Sequence, residues 1–334
     1  MTSFWGFMFH QLTFRPKPLS PDVRLDGKTA IVTGSNVGLG FEAASELAAH
    51  GLSRLVLAVR SEPKGEEAKS KIAAASPACD IRVWPLDQED VASVVAFAER
   101  ARAQLDRLDI ACLNAGLKRL EFSQSPKTRH EAHVQINHLG TALLSLLLLE
   151  PLRRTARETG APSRMSITAS SVAFFIAPTE TLTAVPEGHD GSLLKWLDDP
   201  ASFGTAGSDK RYSLSKLLNV LWMRALAAHV DGKEVVINTF NPGYCRSEFH
   251  RVDPSAERIS HWIAWSTEQG AWHITDAAVR HPGSHGKYLS EQRIRPFSKF
   301  VISPEGKATQ EKVWDETLEL FRKEVEGIDL SEFE

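Results

Sequence analysis

The sequence predicts a doubly wound α/β fold, a mostly seven-stranded parallel sheet with helices on both faces. Three observations carry that expectation. From Gly27 onward, short β-branched runs alternate with longer stretches of helical periodicity, the pattern of parallel strands joined by crossover helices. A glycine-rich turn, Gly34 to Gly40, falls between the first strand and the first helix. And 334 residues, 42% hydrophobic and 24% charged, suit one sheet carrying extra loops. Residues 1–24 read as an N-terminal arm and 25–334 as a single domain.

The elements follow in order. Thr29–Thr33 reads as the first strand and Phe41–His50 as a helix stopped by Gly51, a residue suited to a left-handed helix end. Arg54–Val59 is expected as the second strand, followed by a charged helix from Lys64 to Ala75. Ile81–Pro85 is the third strand, and Val91–Leu105 a helix with Val91, Val94, Val95 and Ala98 on one stripe. Asp109–Leu113 is the fourth strand, and one long helix is expected over Thr128–Glu158. Arg164–Thr168 is the fifth strand, Tyr212–His229 a helix, Glu234–Phe240 the sixth strand and Lys287–Leu289 a short seventh. Gln310–Glu324 closes the chain as a surface helix. Two substrate-side insertions, residues 172–211 and 244–270, resist this scheme, and long loops in a compact domain are usually functional. A ligand is expected at the carboxyl ends of the strands.

Composition excludes several classes. The formal net charge is −3, with no basic stripe, so no nucleic-acid partner is expected. Cys79, Cys112 and Cys245 are scattered and odd in number, which excludes a disulfide scaffold and a zinc knuckle. The longest apolar run, Leu143 to Leu149 interrupted by Ser145, is far short of the ~20 residues that span a bilayer. It reads as core or subunit interface. Phe4, Trp5, Phe7, Met8 and Phe9 could lie on a membrane with Arg15 and Lys17 near headgroups. Packing of this arm on its own domain or a partner subunit is the expected role, so membrane contact is not expected and a cytoplasmic location is. His130, His133 and His138 have the wrong spacing for three ligands on one helix side, so no metal is expected.

Thr33-Gly34-Ser35-Asn36-Val37-Gly38-Leu39-Gly40 joins the first strand to the first helix. Glycines let backbone approach a pyrophosphate closely, and the helix N-terminus adds free N–H groups and a positive dipole end. A carboxylate about 20 residues on would bind a ribose 2′-hydroxyl, whereas Arg suits a 2′-phosphate. Here the second strand ends Leu57-Ala58-Val59-Arg60, with no acid until Glu62. Arg60 can bind a phosphate bidentately, so the expected cofactor is NADP(H).

Tyr212-Ser-Leu-Ser-Lys216 opens a helix, and i, i+4 spacing puts phenol and ammonium on one face. A nearby ammonium is expected to lower the phenol's pKa and make it a usable acid or base. Together with Thr33–Gly40, Asp87, Asn114-Ala115-Gly116, Asn137, Ser171 and Asn241-Pro242-Gly243, in that order, the chain resembles the short-chain dehydrogenase/reductase family over residues 25–320. The local wording around Tyr212 and Asn137 is similar to its retinol-dehydrogenase-like branch, of fungal secondary-metabolism type. The resemblance implies a Rossmann fold and a role for each match. Tyr212 would exchange a proton with the substrate oxygen, and Lys216 would hold the nicotinamide ribose. Ser171 would hydrogen-bond the reacting carbonyl, with Ser170 as the rival assignment. Asn137 would hold a water linking Lys216 to solvent, and Asp87 would meet the adenine. Asn114, Ala115 and Gly116 would line the cofactor, Pro242 and Gly243 the nicotinamide side, and Ser247 would replace the usual threonine at the carboxamide.

The chain also departs from the family. The interval from Ser171 to Tyr212 is much longer than usual, and Leu113 stands where a first asparagine is common. The implied activity is NADP(H)-dependent hydride transfer between nicotinamide and a ketone, aldehyde or secondary alcohol of a bulky lipophilic substrate, a fungal polyketide or related metabolite. The alternative is a non-redox protein on the same fold, either an NADP-templated cyclase or isomerase or a nucleotide-sensing module. Trp262, Trp265 and Trp272 are candidates for a lipophilic pocket wall or for core. The resemblance also implies a homodimer or homotetramer, formed through the helices at 128–158 and 212–229.

Overall fold

The computed structural model describes residues 4–175, 182, 185–204, 207–246 and 263–333. Its strands are β1 (Thr29–Thr33), β2 (Arg54–Val59), β3 (Asp80–Pro85), β4 (Ile110–Leu113), β5 (Ser163–Thr168), β6 (Val235–Phe240), β7 (Lys287–Ser290) and β8 (Arg293–Arg295). They form one eight-stranded sheet in the order β3-β2-β1-β4-β5-β6-β7-β8. All neighbours are parallel except β7 and β8. The chain winds outward from β1 in one direction and from β4 in the other. The crevice where that direction reverses, between β1 and β4, is where such sheets bind ligands.

The inner strands are apolar along their whole length because both faces are covered. On one face Ile31, Val56, Ala111, Met165 and Ile237 join a core with Leu143, Leu144, Leu217 and Trp222. On the other, Ala30, Val32, Leu55, Leu57 and Cys112 pack with Ala43, Ala44 and Leu47 of α2 (Gly38–Ala49). Ile274, Ala277 and Ala278 of the Thr267–Val279 helix complete that second core. The leucine run at 143–149 is therefore core, with Leu143, Leu144, Leu146, Leu148 and Leu149 all buried.

Three expectations need correction. The sheet has an eighth strand, formed by a two-residue hairpin in which Glu291 and Gln292 both take positive φ, 49° and 53°. That geometry usually selects Asn-Gly, so Glu-Gln hides the turn. The long helix expected over Thr128–Glu158 is broken. After α3 (Glu62–Ala75) and α4 (Val91–Gln104), a π-turn runs over Val134–Leu139, where the Gly140 N–H reaches back to the Gln135 carbonyl, followed by α5 (Gly140–Leu147) and α6 (Leu149–Thr159). Pro151 cannot donate to the Leu147 carbonyl, which is why a continuous helix fails near Leu148. The irregular stretch at 244–270 also gives way early to the Thr267–Val279 helix, which starts at a capping box between Ser266 and Gln269.

The N-terminal arm forms α1 (Phe4–Thr13). It packs on its own chain: Gln11 Nε2 donates to the carbonyls of Tyr244 and Ile263 at 2.8 and 3.1 Å, and Trp265 Nε1 donates to the Gln11 carbonyl at 3.1 Å. Among the described residues no helix is long and apolar enough to cross a membrane, and no three His, Cys, Asp or Glu side chains come together as metal ligands would.

Candidate active site

The site is assembled at the ends of β1, β4, β5 and β6. Thr33, the last residue of β1, braces the crevice: its hydroxyl accepts the N–H groups of Asn114 and Ala115, both at 2.9 Å. Asn114 Nδ2 in turn donates to the Thr33 carbonyl at 3.1 Å. Beyond Thr33 the chain turns through Gly34 and Gly38 at φ of 65° and 60°, left-handed backbone that glycine adopts without strain. α2 begins inside this loop, earlier than the apolar pattern suggested. Its N-cap, Val37, offers no side-chain acceptor, so the first N–H groups of the helix remain open to an anion. A Cβ on Gly40 would run into the Gly34 carbonyl and stand 2.8 Å from Asn114 Nδ2. Ser35 is fully buried and its hydroxyl has no hydrogen-bond partner among the described residues.

A cleft of about 640 Å³ opens above this loop. Its lining brings together Gly34, Asn36, Gly38, Leu39, Gly40, Asn114, Ala115, Gly116, Ser170, Tyr212, Lys216, Pro242 and Gly243. The orphaned Ser35 hydroxyl, the uncapped helix and the glycine cradle fit a dinucleotide bound through its phosphates.

Past the short α7 (Leu193–Leu197) of the insertion, Tyr212 and Lys216 sit on α8 (Gly207–His229), with the Lys216 Nζ 5.8 Å from the centre of the Tyr212 ring. Lys216 is buried and donates to the Thr168 carbonyl at 3.1 Å. Burial lowers its ammonium to a pKa of about 8. The expected lowering of the Tyr212 phenol is not what its surroundings give: burial pushes it up, and the nearby Cys245 thiol adds to the rise. Desolvation penalises the phenolate more than the ammonium stabilises it at this separation.

Asn137 lies beneath the cleft, in the π-turn, fully buried. Its Oδ1 accepts the Leu117 N–H at 2.7 Å, and its Nδ2 donates to the Leu117 carbonyl at 3.0 Å and to Ser215 Oγ at 2.9 Å. A Cβ on Gly116 would stand 3.0 Å from Asn137 Oδ1 and 3.3 Å from Lys216 Nζ, so glycine there keeps the Asn137–Lys216 side of the cleft open.

The two serines after β5 part company. Ser170, in extended backbone, lines the cleft with Tyr212. Ser171, held by a 3.1 Å bond from its N–H to Asn241 Oδ1, lines a separate cavity of about 160 Å³ with His10, Phe174 and Tyr288. Arg60 and Asp87 follow β2 and β3 on the same side of the sheet but outside the cleft lining. Arg60 is exposed and, among the described residues, without a partner. Asp87 is half-buried and accepts the Glu89 N–H at 3.0 Å. Ser247 and Trp262 lie outside the described residues. Trp265 stacks on His273 at 5.2 Å and closes on Gly243, whose φ of 82° and missing Cβ make room for the indole.

Sequence reasoning passed over several cleft residues. Lys118 and Asp209 pair across the lining at 2.5 Å, and Val172, Phe175, Tyr244 and Cys245 supply apolar and aromatic wall. Their neighbours in sequence were the signal, because each lies within four residues of a motif position.

A family model described as short chain dehydrogenase matches residues 28–179. The short chain dehydrogenase sol3 of Alternaria solani is 53% identical over 296 residues, covering 88% of this chain and 99% of that one. The short chain dehydrogenase/reductase mfmJ of Annulohypoxylon moriforme is 37% identical over 328 residues, covering 95% and 92%. Among solved structures, a short-chain type dehydrogenase/reductase from Mycobacterium marinum superposes with a TM-score of 0.61 at 19% identity, covering 80% of this chain and 95% of that one. The RhlG/NADP active-site complex of Pseudomonas aeruginosa gives 0.60 at 23% identity, covering 81% and 97%. These two share the fold. Full-length identity to the fungal relatives carries the stronger conclusion: the chain belongs to the short-chain dehydrogenase/reductase family, oxidoreductases that work with a nicotinamide dinucleotide.

Proposed function

We propose that the protein is an NADP(H)-dependent reductase of a ketone or aldehyde on a bulky, lipophilic fungal metabolite, with the reverse oxidation of a secondary alcohol open to the same residues. The observation that carries this reading is the convergence of Tyr212, Lys216 and Ser170 on one cleft beside the glycine loop. Arg60, exposed and without a partner among the described residues, just past β2 where an acidic residue would favour NAD(H), supports the 2′-phosphate form. Phe175, Tyr244 and Val172 in the wall suit a lipophilic substrate. The fungal relatives support the metabolite class.

When bound, the reduced nicotinamide supplies a hydride. The chain's own contribution is positional and electrostatic. Tyr212, whose phenol burial keeps protonated, delivers its proton to the substrate oxygen, which favours the reductive direction near neutral pH. A serine hydroxyl at the end of β5 donates to the same oxygen as negative charge grows. Ser170, which lines the cleft with Tyr212, is the serine this reading assigns to that bond. Lys216 holds the ribose edge and is itself fixed by the Thr168 carbonyl.

The test is consumption of NADPH, followed by its absorbance, with a panel of aryl and alkyl ketones. Stoichiometric loss of NADPH with alcohol formation is the expected result. Product formed without NADPH loss would instead establish the non-redox, templated alternative. Arg60→Glu should raise KM for NADPH by about tenfold or more, a loss of roughly 1.4 kcal/mol, with little change for NADH. An unaltered NADPH KM would remove the 2′-phosphate assignment.

A further inference from the structure

Arg211, immediately before Tyr212, points away from the cleft into the protein and is 2% exposed. Its Nε lies 4.0 Å from Glu131 Oε2, its Nη2 donates to Ser202 Oγ, and its guanidinium covers the Phe203 ring at 5.7 Å. Among the described residues Nη1 makes no hydrogen bond, and Glu131 and Ser202 are the polar side chains beside the group. Glu131 is wholly buried as well. Its Oε2 accepts the N–H groups of His133 and Val134, both at 3.1 Å, and its Oε1 accepts His133 Nδ1–H at 2.7 Å. The Glu131 N–H donates to Asp198 Oδ1 at 2.7 Å.

Two buried charges are costly unless their geometry is closely met, so such a pair has few arrangements open to it. Val134 is the first residue of the π-turn that carries Asn137. The chain thus meets α8 at two places, Glu131 with Arg211 three residues before that turn and Asn137 with Ser215 within it. Tyr212 lies between them. A rotation of the first turns of α8 that moved the phenol would have to break one tie or the other.

We propose that Glu131 and Arg211 are a buried positioning pair that sets the place of the Tyr212 phenol relative to Asn137 and the cleft. The pair also gives the long interval between Ser171 and Tyr212 a purpose. Ser202, Phe203 and Asp198 all come from that insertion, and all three touch the pair. The proposal rests on the reading of Tyr212 as the proton donor, but its test does not depend on turnover alone.

The measurement is the ring-carbon NMR spectrum of the full-length protein labelled at tyrosine. There are three tyrosines in all, and the Tyr212 signal is assigned by its loss in Tyr212→Phe. In Glu131→Gln, which keeps the side chain's size and removes its charge, the Tyr212 signal should shift or broaden while that of Tyr288 stays. Under NADPH turnover the same variant should lose about tenfold or more in kcat, as small misplacements of a reacting group do, with KM for NADPH within twofold. Arg211→Met should match it, and the double variant should be no worse than either single one, since the two act as a unit. Arg211→Lys, which keeps the charge, should recover part of the loss, and Arg211→Met carries the spectroscopic test if Glu131→Gln does not fold. An unmoved Tyr212 signal, or losses that simply add in the double variant, would overturn the pairing. A moved signal in a protein that never consumes NADPH would leave the pairing standing and remove the redox reading.

Discussion

At the scale of single residues, Tyr212 and Lys216 respond to burial in opposite electrical senses. The phenol is pushed up and stays protonated through neutrality, whereas the ammonium falls to about 8. Lys216 is charged below that value and neutral above it, so the limb of a reductive pH profile belongs to Lys216. Turnover should hold level from mildly acidic to neutral pH and decline with a midpoint of about 8, which kcat measured across pH checks. A profile level to about pH 10, the range of an unperturbed lysine, would contradict the lowering of Lys216 by burial. The partnership was legible in the sequence because i, i+4 spacing on a helix leaves one geometry open. The choice between Ser170 and Ser171 was not, because neighbouring residues at a strand end face different ways and only the turn that follows decides which enters the cleft.

At the scale of elements, the glycine loop and α2 were legible because backbone conformation there leaves few residue types available. Gly40→Ala tests how tightly they pack. The added Cβ overlaps the Gly34 carbonyl and crowds Asn114 Nδ2 at 2.8 Å, and both are backbone or braced groups that cannot turn aside. Overpacking of this kind costs about 1–3 kcal/mol. Denaturant unfolding should show that loss, and dinucleotide affinity, read by tyrosine or tryptophan quenching, should weaken with it. Wild-type affinity and stability would mean the loop is looser than its contacts imply. The π-turn at Val134–Leu139 and the β7–β8 hairpin were hidden for a common reason. Each depends on a local conformation that tertiary contacts impose, Asn137 clamping Leu117 in one case and strand pairing beside β6 in the other.

At the scale of the whole molecule, histidines tie distant segments together and should shape stability against pH. His130 joins the insertion to the C-terminal helix, Pro304–Glu324, with Nδ1 2.6 Å from Asp198 Oδ2 and Nε2 3.2 Å from Glu324 Oε1. Burial alone would lower it, but the two carboxylates outweigh that and raise it to about 9. A folded value above the unfolded value of about 6.5 stabilises fully below 6.5 and is lost as pH rises toward 9, a contribution on the order of 3 kcal/mol. His138 and His273 work the other way. Burial lowers them to about 3 and about 4, so their contribution is present above about 6.5 and is lost as pH falls. Thermal stability should therefore peak near mildly acidic to neutral pH, and His130→Gln should flatten the alkaline limb while leaving the acid limb in place. An alkaline limb unchanged by that substitution would contradict the linkage. None of this was legible in the sequence, where the three clustered histidines share a segment but not their partners.

The Tyr212→Phe variant offers the most direct measurement of all, because it removes one proton and leaves the ring's packing in place. Its dinucleotide affinity should match the parent, and its NADPH-dependent carbonyl reduction should drop by about a hundredfold or more, the usual worth of a placed general acid. Turnover within a few-fold of the parent at equal affinity would show that the proton comes from elsewhere.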